Sequence, residues 1–163
     1  MKKFLHIFLI SLLIVSCTAQ EAPTKFTEAA LNDTFVSTNN QNILFKEILE
    51  KHKGKTILID VWASWCGDCI KGLPKVKALQ NNNKEVVFVF LSADRSISKW
   101  KNGINKHQVK GDHYFMPKGM KSVFSKSIGL NWIPRYMLVD PEGGIKLYKA
   151  IKADNKQLLN ALN

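Results

Sequence analysis

The chain has 163 residues, with 24 Lys and Arg against 13 Asp and Glu, and a formal net charge of +11. No internal repeat, low-complexity tract or second long apolar segment interrupts it, which argues against a multi-domain or membrane-spanning chain. The basic residues occur singly, so the charge reads as a solvated surface suited to anionic lipid head groups or an acidic protein partner, and not to nucleic acid.

Residues Met1 to Ser16 read as a secretory signal. Lys2 and Lys3 form the charged start, and Phe4 to Val15 is apolar except for His6 and Ser11. The run is short for a membrane span. Its end, Ile14-Val15-Ser16-Cys17, resembles the lipobox of bacterial lipoproteins, which implies lipidation of Cys17 after cleavage. Two or more acyl chains would hold the protein stably on a membrane. An ordinary signal peptide with a chance cysteine is the alternative. The expected organisation is a signal peptide over 1–16, a lipidated N-terminus and linker over 17–34, and one domain over 35–163. Placement in the bacterial cell envelope, facing the periplasm, follows from the anchor.

The linker is polar, with Phe26 as its strong apolar point, and leads through Phe35-Val36 into a short strand or hairpin. After it the pattern predicts a helix over 43–51, a strand over 56–61, a helix over 67–80, a strand over 85–92 and a helix over 96–107. A short strand (113–116), a helix (118–128), two strands (136–139 and 145–150) and a final helix (155–162) complete the order. Strands separated by helices imply parallel βαβ pairing. Asp140-Pro141-Glu142-Gly143-Gly144 is a turn sequence that joins the last two strands as an antiparallel hairpin. The expected fold class is α/β, with a central mixed sheet, helices on both faces and an N-terminal strand or hairpin extension.

Trp65-Cys66-Gly67-Asp68-Cys69 stands where the buried strand gives way to a helix. Two thiols at this spacing can close and reopen a small disulfide. At a helix N-terminus the free N–H groups and the positive end of the dipole favour the thiolate, the form that attacks a disulfide. Cys66 is therefore the expected nucleophile and Cys69 the resolving thiol. The same pair could be half of a zinc site, but only Cys17 and the scattered His6, His52, His107 and His113 could complete it. With Cys17 lipidated, a single thiol pair remains. Asp68 places a carboxylate beside the developing thiolate, which should raise the thiol pKa and make the pair more reducing.

The Trp65 to Cys69 motif, Pro74 five residues beyond it, and Ile133-Pro134 before a strand resemble thioredoxin-fold proteins. The secretion signal, the long segment from Ser96 to Ile128 and the Asp140 to Gly144 hairpin are similar to the TlpA/ResA-like branch of extracytoplasmic thiol-disulfide oxidoreductases. The resemblance implies a three-layer α/β/α fold and makes Pro134 a cis-proline facing the disulfide, with Ile133 offering backbone groups to an extended client segment. It also implies that Asp60 relays protons to Cys69, with a pKa raised by burial. Relatives often supply a lysine near that carboxylate, whereas Val86 to Leu91 is wholly apolar here. Trp132 and Arg135 flank the proline and are expected, with Trp65, Gly67 and Asp68, to shape the substrate groove. Trp62 is expected in the core. Gly72 stands where cytochrome-maturation members carry a glutamate, which weakens any transfer of their haem-protein substrate.

The leading reading is a lipid-anchored reductase acting on cysteine-containing extracytoplasmic proteins and recharged by a membrane dithiol donor. No flavin, nicotinamide or metal motif is visible, so no cofactor beyond the Cys66–Cys69 disulfide is expected. The alternatives are a copper-handling carrier using the two thiols with Met116 or Met120, and a binding module without redox activity. A thiol peroxidase lacks its required Pro-x-x-x-Thr setting.

Overall fold

The computed structural model describes residues 22–162. The expected signal segment and Cys17 lie outside the described residues. A short helix α1 (Glu28–Leu31) precedes a hairpin of β1 (Thr34–Ser37) and β2 (Asn42–Leu44), followed by α2 (Phe45–Lys51). Then come β3 (Ile57–Trp62), α3 (Gly67–Asn82), β4 (Val87–Ser92), α4 (Ile97–His107) and β5 (Asp112–Phe115). A 3-10 turn (Gly119–Lys121), α5 (Val123–Ser127), β6 (Arg135–Val139), β7 (Ile145–Ala150) and α6 (Lys156–Leu162) close the domain.

The strands form one seven-stranded mixed sheet in the order β2-β1-β5-β4-β3-β6-β7. Pairings β3–β4 and β4–β5 are parallel, whereas β3–β6, β6–β7, β1–β5 and β1–β2 are antiparallel. Every residue of β3 and of β6 is buried. Burial on both faces explains why these strands lack a polar–apolar alternation and are mostly apolar, with Asp60, Arg135 and Tyr136 as buried exceptions. The expected α/β class, the mixed sheet, the N-terminal hairpin and the closing hairpin are all present. In the closing turn Asp140 Oδ1 accepts from the N–H groups of Glu142 (3.0 Å) and Gly144 (2.6 Å).

Three local differences from the sequence reading have physical causes. Residue 43 belongs to β2, because the Glu47 carboxylate accepts the Leu44 N–H (2.6 Å) and starts α2 at Phe45. The helix expected over 118–128 is broken, because Ser122 is extended and its hydroxyl accepts the Ser125 N–H (2.9 Å), capping a new helix after the 3-10 turn. The stretch from Thr24 to Asp33, expected as linker, is packed onto the domain. Phe26 joins an aromatic cluster, edge-on to Phe45 (4.8 Å between centroids) and stacked on Phe124 (6.2 Å). Phe45 and Phe124 themselves stand 4.6 Å apart and Phe35 completes the cluster. Thr24 O accepts the Ile145 N–H (2.8 Å) and Asp33 Oδ2 accepts the Phe124 N–H (2.8 Å).

Phe26 therefore carries stability. Phe26→Ala is expected to cost about 1.5–3 kcal/mol, below the value for a fully buried Phe because Phe26 is half-buried. Urea midpoints of the two proteins measure it, and an unchanged midpoint would return residues 24–33 to the role of linker.

Candidate active site

The carboxyl end of β3 runs into the loop Ala63-Ser64-Trp65 and then Cys66, which is the N-cap of α3. Asp94, 4% exposed just beyond β4, holds this loop. Its Oδ1 accepts the Ser64 hydroxyl (2.6 Å), and its Oδ2 accepts the Ser64 N–H (3.0 Å) and the Ser92 hydroxyl (2.9 Å). A buried carboxylate fed by three donors is a stable anchor. On the outer side α4 presses Gly103 against the Ser64 side chain so closely that any Cβ at position 103 would collide with it.

Cys66 and Cys69 are joined by a disulfide, with Cα atoms 5.2 Å apart. Both are buried, Cys66 at 6% exposure and Cys69 at 2%. Cys66 Sγ accepts the Cys69 N–H (3.1 Å) and lies 3.7 Å from the Ile133 carbonyl oxygen. The Ile133–Pro134 peptide bond is cis, as expected. Trp132 stands on this edge, 56% exposed, and separates two grooves. The first, of about 360 Å³, is lined by Trp65, Cys66, Gly67, Asp68, Ile133 and neighbours including Met120. The second, of about 460 Å³, runs between α3 and the segment Ile151 to Asp154, with Pro134 and Tyr136 at its base. Trp65 is exposed on the rim and Trp62 is fully buried, both as expected.

Arg135 departs from expectation. It was assigned to the groove, but it is fully buried, and its guanidinium donates to the carbonyls of Ile128 (3.2 Å) and Gly129 (3.4 Å) and to Asn131 Oδ1 (3.4 Å). It ties off the carbonyl end of α5 and fixes the segment that carries Trp132. Met116, offered as a metal ligand, is also buried, and accepts the Ser125 hydroxyl at its sulfur (3.8 Å). Among the described residues no group of three or more His, Cys, Asp or Glu could hold a metal. His52 Nε2 contacts Asp112 (2.8 Å), and His113 Nε2 contacts the Val109 carbonyl (3.0 Å).

Asp60 lies inside β3, 2% exposed, and its Oδ1 has no hydrogen-bond partner. Its neighbour on β4 is Phe90 and its neighbour on β6 is Tyr136. Burial without a cation disfavours the carboxylate and pushes the Asp60 pKa up to about 8. The Tyr136 hydroxyl is also buried and unpartnered. Gly72 leaves room for it, since a Cβ there would stand 3.1 Å from Oη. This contact shows that Tyr136 faces α3. Asp60, directly opposite in the ladder, faces the same way, beneath the turn that carries Cys69.

A family model described as Thioredoxin-like matches residues 54–145. The chain belongs to the thioredoxin-like family. It is 25% identical over 172 residues to the thiol-disulfide oxidoreductase ResA of Bacillus cereus, covering 98% of this chain and 95% of that protein. The solution structure of a Bacteroides vulgatus protein described as a thiol-disulfide oxidoreductase shares 31% identity, with a TM-score of 0.67 over 80% of this chain and 83% of its own. The thioredoxin domain of another B. vulgatus thiol-disulfide oxidoreductase superposes with a TM-score of 0.69 at 24% identity, over 87% and 96% of the two chains. This thioredoxin-like chain is a thiol-disulfide oxidoreductase with its exchangeable pair at Cys66 and Cys69.

Within that frame the sequence reading missed two residues. Asp94 was invisible because its partner Ser64 lies thirty residues away. Tyr136 could have been found, since a polar ring two residues past Ile133-Pro134 shares the face that Pro134 presents.

The raised Asp60 pKa has a measurable consequence. The unfolded carboxyl ionises near 3.8 and the folded one near about 8, so between these values the folded chain holds a proton that the unfolded chain has lost. Asp60 therefore lowers stability as pH rises through this window, by at most about 1.4 kcal/mol per unit. Asp60→Asn is expected to be more stable than wild type at pH 9 and to lose that advantage progressively as pH falls towards 4. The difference in urea midpoints reads it, and cancels the contribution of His113, whose pKa is lowered by burial. A difference that does not vary with pH would show that Asp60 ionises normally.

Proposed function

We propose that this oxidoreductase works as a reductase of cysteine-containing extracytoplasmic proteins, tethered to a membrane through lipid on Cys17 and recharged by a membrane dithiol donor. The observation that carries the reading is the Cys66–Cys69 pair at the start of α3, opening onto a groove beside the Ile133–Pro134 edge. No cofactor beyond this pair takes part, and electrons enter and leave as thiol pairs.

In the reduced state the Cys66 thiolate attacks one sulfur of a client disulfide, forms a mixed disulfide and releases the other client sulfur as a thiolate. An extended client segment lies along the edge at Ile133, whose backbone offers strand-like pairing. Cys69 gives its proton to the Asp60 carboxylate and attacks Cys66 Sγ. The Cys66–Cys69 disulfide forms, and the second client sulfur leaves and takes a proton from water. Two electrons have then passed from the protein to the client. A general base with a pKa near the working pH is suited to this transfer. Asp68, exposed in the first turn of α3, is an acidic neighbour of the Cys66 thiolate and opposes it. Its effect is to stabilise the disulfide relative to the dithiol.

Equilibration with a glutathione or dithiothreitol buffer is expected to give a reduction potential at or below about −250 mV, the range of reducing thioredoxins. A value near about −120 mV would mark an oxidase and overturn the assignment of direction. In the same assay Asp68→Asn should raise the potential by about 10–20 mV, which is modest because the carboxylate is in water. An unchanged or lower potential would remove Asp68 from the account. Cys69→Ser should leave attack by Cys66 intact and accumulate a mixed disulfide with client, seen as a mass shift that dithiothreitol reverses. Failure to trap any client would count against the reductase.

A further inference from the structure

Tyr136 is a costly way to fill its site. Its residue is fully buried, yet its hydroxyl has no protein partner. An unpaired buried hydroxyl is destabilising, so packing alone would favour Phe. The hydroxyl sits against Gly72, and Tyr136 lies at the base of the groove between α3 and the segment Ile151 to Asp154. Across the ladder stands Asp60, which is 2% exposed, with an unpartnered Oδ1. Cys69 and Gly72 are one turn apart on α3, so the helix places the resolving thiol and the gap for the hydroxyl above the same pair of strands.

We propose that Tyr136 carries the proton of Asp60 out to the groove beside Trp132. This rests on the reading of Asp60 as acceptor of the Cys69 proton. Asp60 rests at pH 7 mainly as the carboxylic acid in a nearly closed site, and this proton must leave before Asp60 can take that of Cys69. The acid and the phenol are not in direct hydrogen-bond contact, so the relay runs through one bridging water. Asp60 gives its proton towards Tyr136 Oη as the Tyr136 O–H proton passes to water in the groove. Asp60 is left as the carboxylate, ready for the Cys69 proton, and Tyr136 ends neutral.

The surroundings favour this neutral relay over an ionising phenol. Burial, then Asp60 on β3, then Asp154 ahead of α6 all push the Tyr136 pKa upward. Phe90 on β4 and Ala150 on β7, its ladder neighbour, do not titrate. Lys71, Lys75 and Lys152 line the groove outside, with Lys75 held by Asp154 at 2.5 Å, and they attract buffer anions to the proton's exit. Tyr136 touches no reacting sulfur. It acts through Asp60 and is a positioning residue for the proton.

The test is a stopped-flow measurement of the resolving step at pH 7, with reduced full-length protein and a fluorogenic peptide disulfide as client. Tyr136→Phe keeps the ring and removes only the hydroxyl, and a thermal scan confirms that it folds. It is expected to slow release of the second client thiol by about 3- to 10-fold while leaving the first attack by Cys66 unchanged. Added imidazole, a small base that can enter the groove, should restore most of the loss and leave wild type unaffected. On an Asp60→Asn background the same substitution should change nothing further. An unaltered rate in Tyr136→Phe overturns the relay. A loss that imidazole does not restore, or that persists with Asn at position 60, makes Tyr136 a packing residue and also overturns it. If wild type releases no client thiol, the reductase reading falls and takes the relay with it.

Discussion

The pairing of β3 with β6 is the contact on which the site depends. β3 delivers Cys66 at its carboxyl end, and β6 begins immediately after Pro134, so their register decides what faces the disulfide. Val61 opposes Arg135 and Asp60 opposes Tyr136. This brings the Ile133 carbonyl to 3.7 Å from Cys66 Sγ. It also sets a carboxylic acid and a phenol side by side under α3. A slip of one residue would turn Asp60 and Tyr136 to opposite faces and move the proline edge away from the sulfur. The parallel β3–β4 pairing supports this register from the other side and supplies the anchor at Asp94.

Two buried carboxylates serve this site in opposite ways. Asp94 meets three donors and converts its charge into a fixed loop, so that the Cys66 backbone starts α3 in one place. Asp60 meets no cation, and its ladder neighbour on β4 is Phe90. The fold accepts the cost of an ill-satisfied acid in the centre of its sheet. Such a cost is hard to explain by packing, since an apolar residue would fill the same strand position more cheaply. It becomes intelligible where a group must change its protonation state during each cycle, because full satisfaction of either state would hold the proton in place.

Much of this was legible in the sequence because it is carried by local pattern. The thiol pair, the β3 run, the turn at Asp140 and the Ile133-Pro134 step each announce themselves within a few residues. The same holds for the apolar Val86 to Leu91 run, which places Phe90 beside Asp60. What escaped is non-local. Arg135 looked like a groove residue from its position beside Pro134, but the strand's alternation turns it away from Tyr136, towards the unsatisfied carbonyls of α5. No spacing rule in the chain encodes that meeting. Phe26 read as an isolated apolar point in a polar stretch, and only the assembled cluster with Phe45 and Phe124 shows why residues 24–33 pack onto the domain. The break at Ser122 was readable in principle, since Ser122 and Ser125 form a capping pair, but the apolar periodicity on either side masked it.

The chemistry at the sulfurs is generic, so discrimination between clients must come from the rim. Trp65 and Trp132 are both more than half exposed, and Ile151 adds a third apolar surface along the second groove. Large apolar side chains left half in water at the mouth of an otherwise well-packed fold contribute less to its stability than they would buried. On the proposed reading they would cover an apolar residue of a client segment and exclude water from the exchanging sulfurs. On the same reading, Lys71, Lys75 and Lys152, which outnumber Asp68 and Asp154 along this groove, would add an attraction for an acidic client that weakens with salt. Arg135 belongs to this function indirectly. By anchoring the turn after α5 from below, it holds Trp132 in place between the two grooves, so a residue with no exposed surface shapes an exposed one.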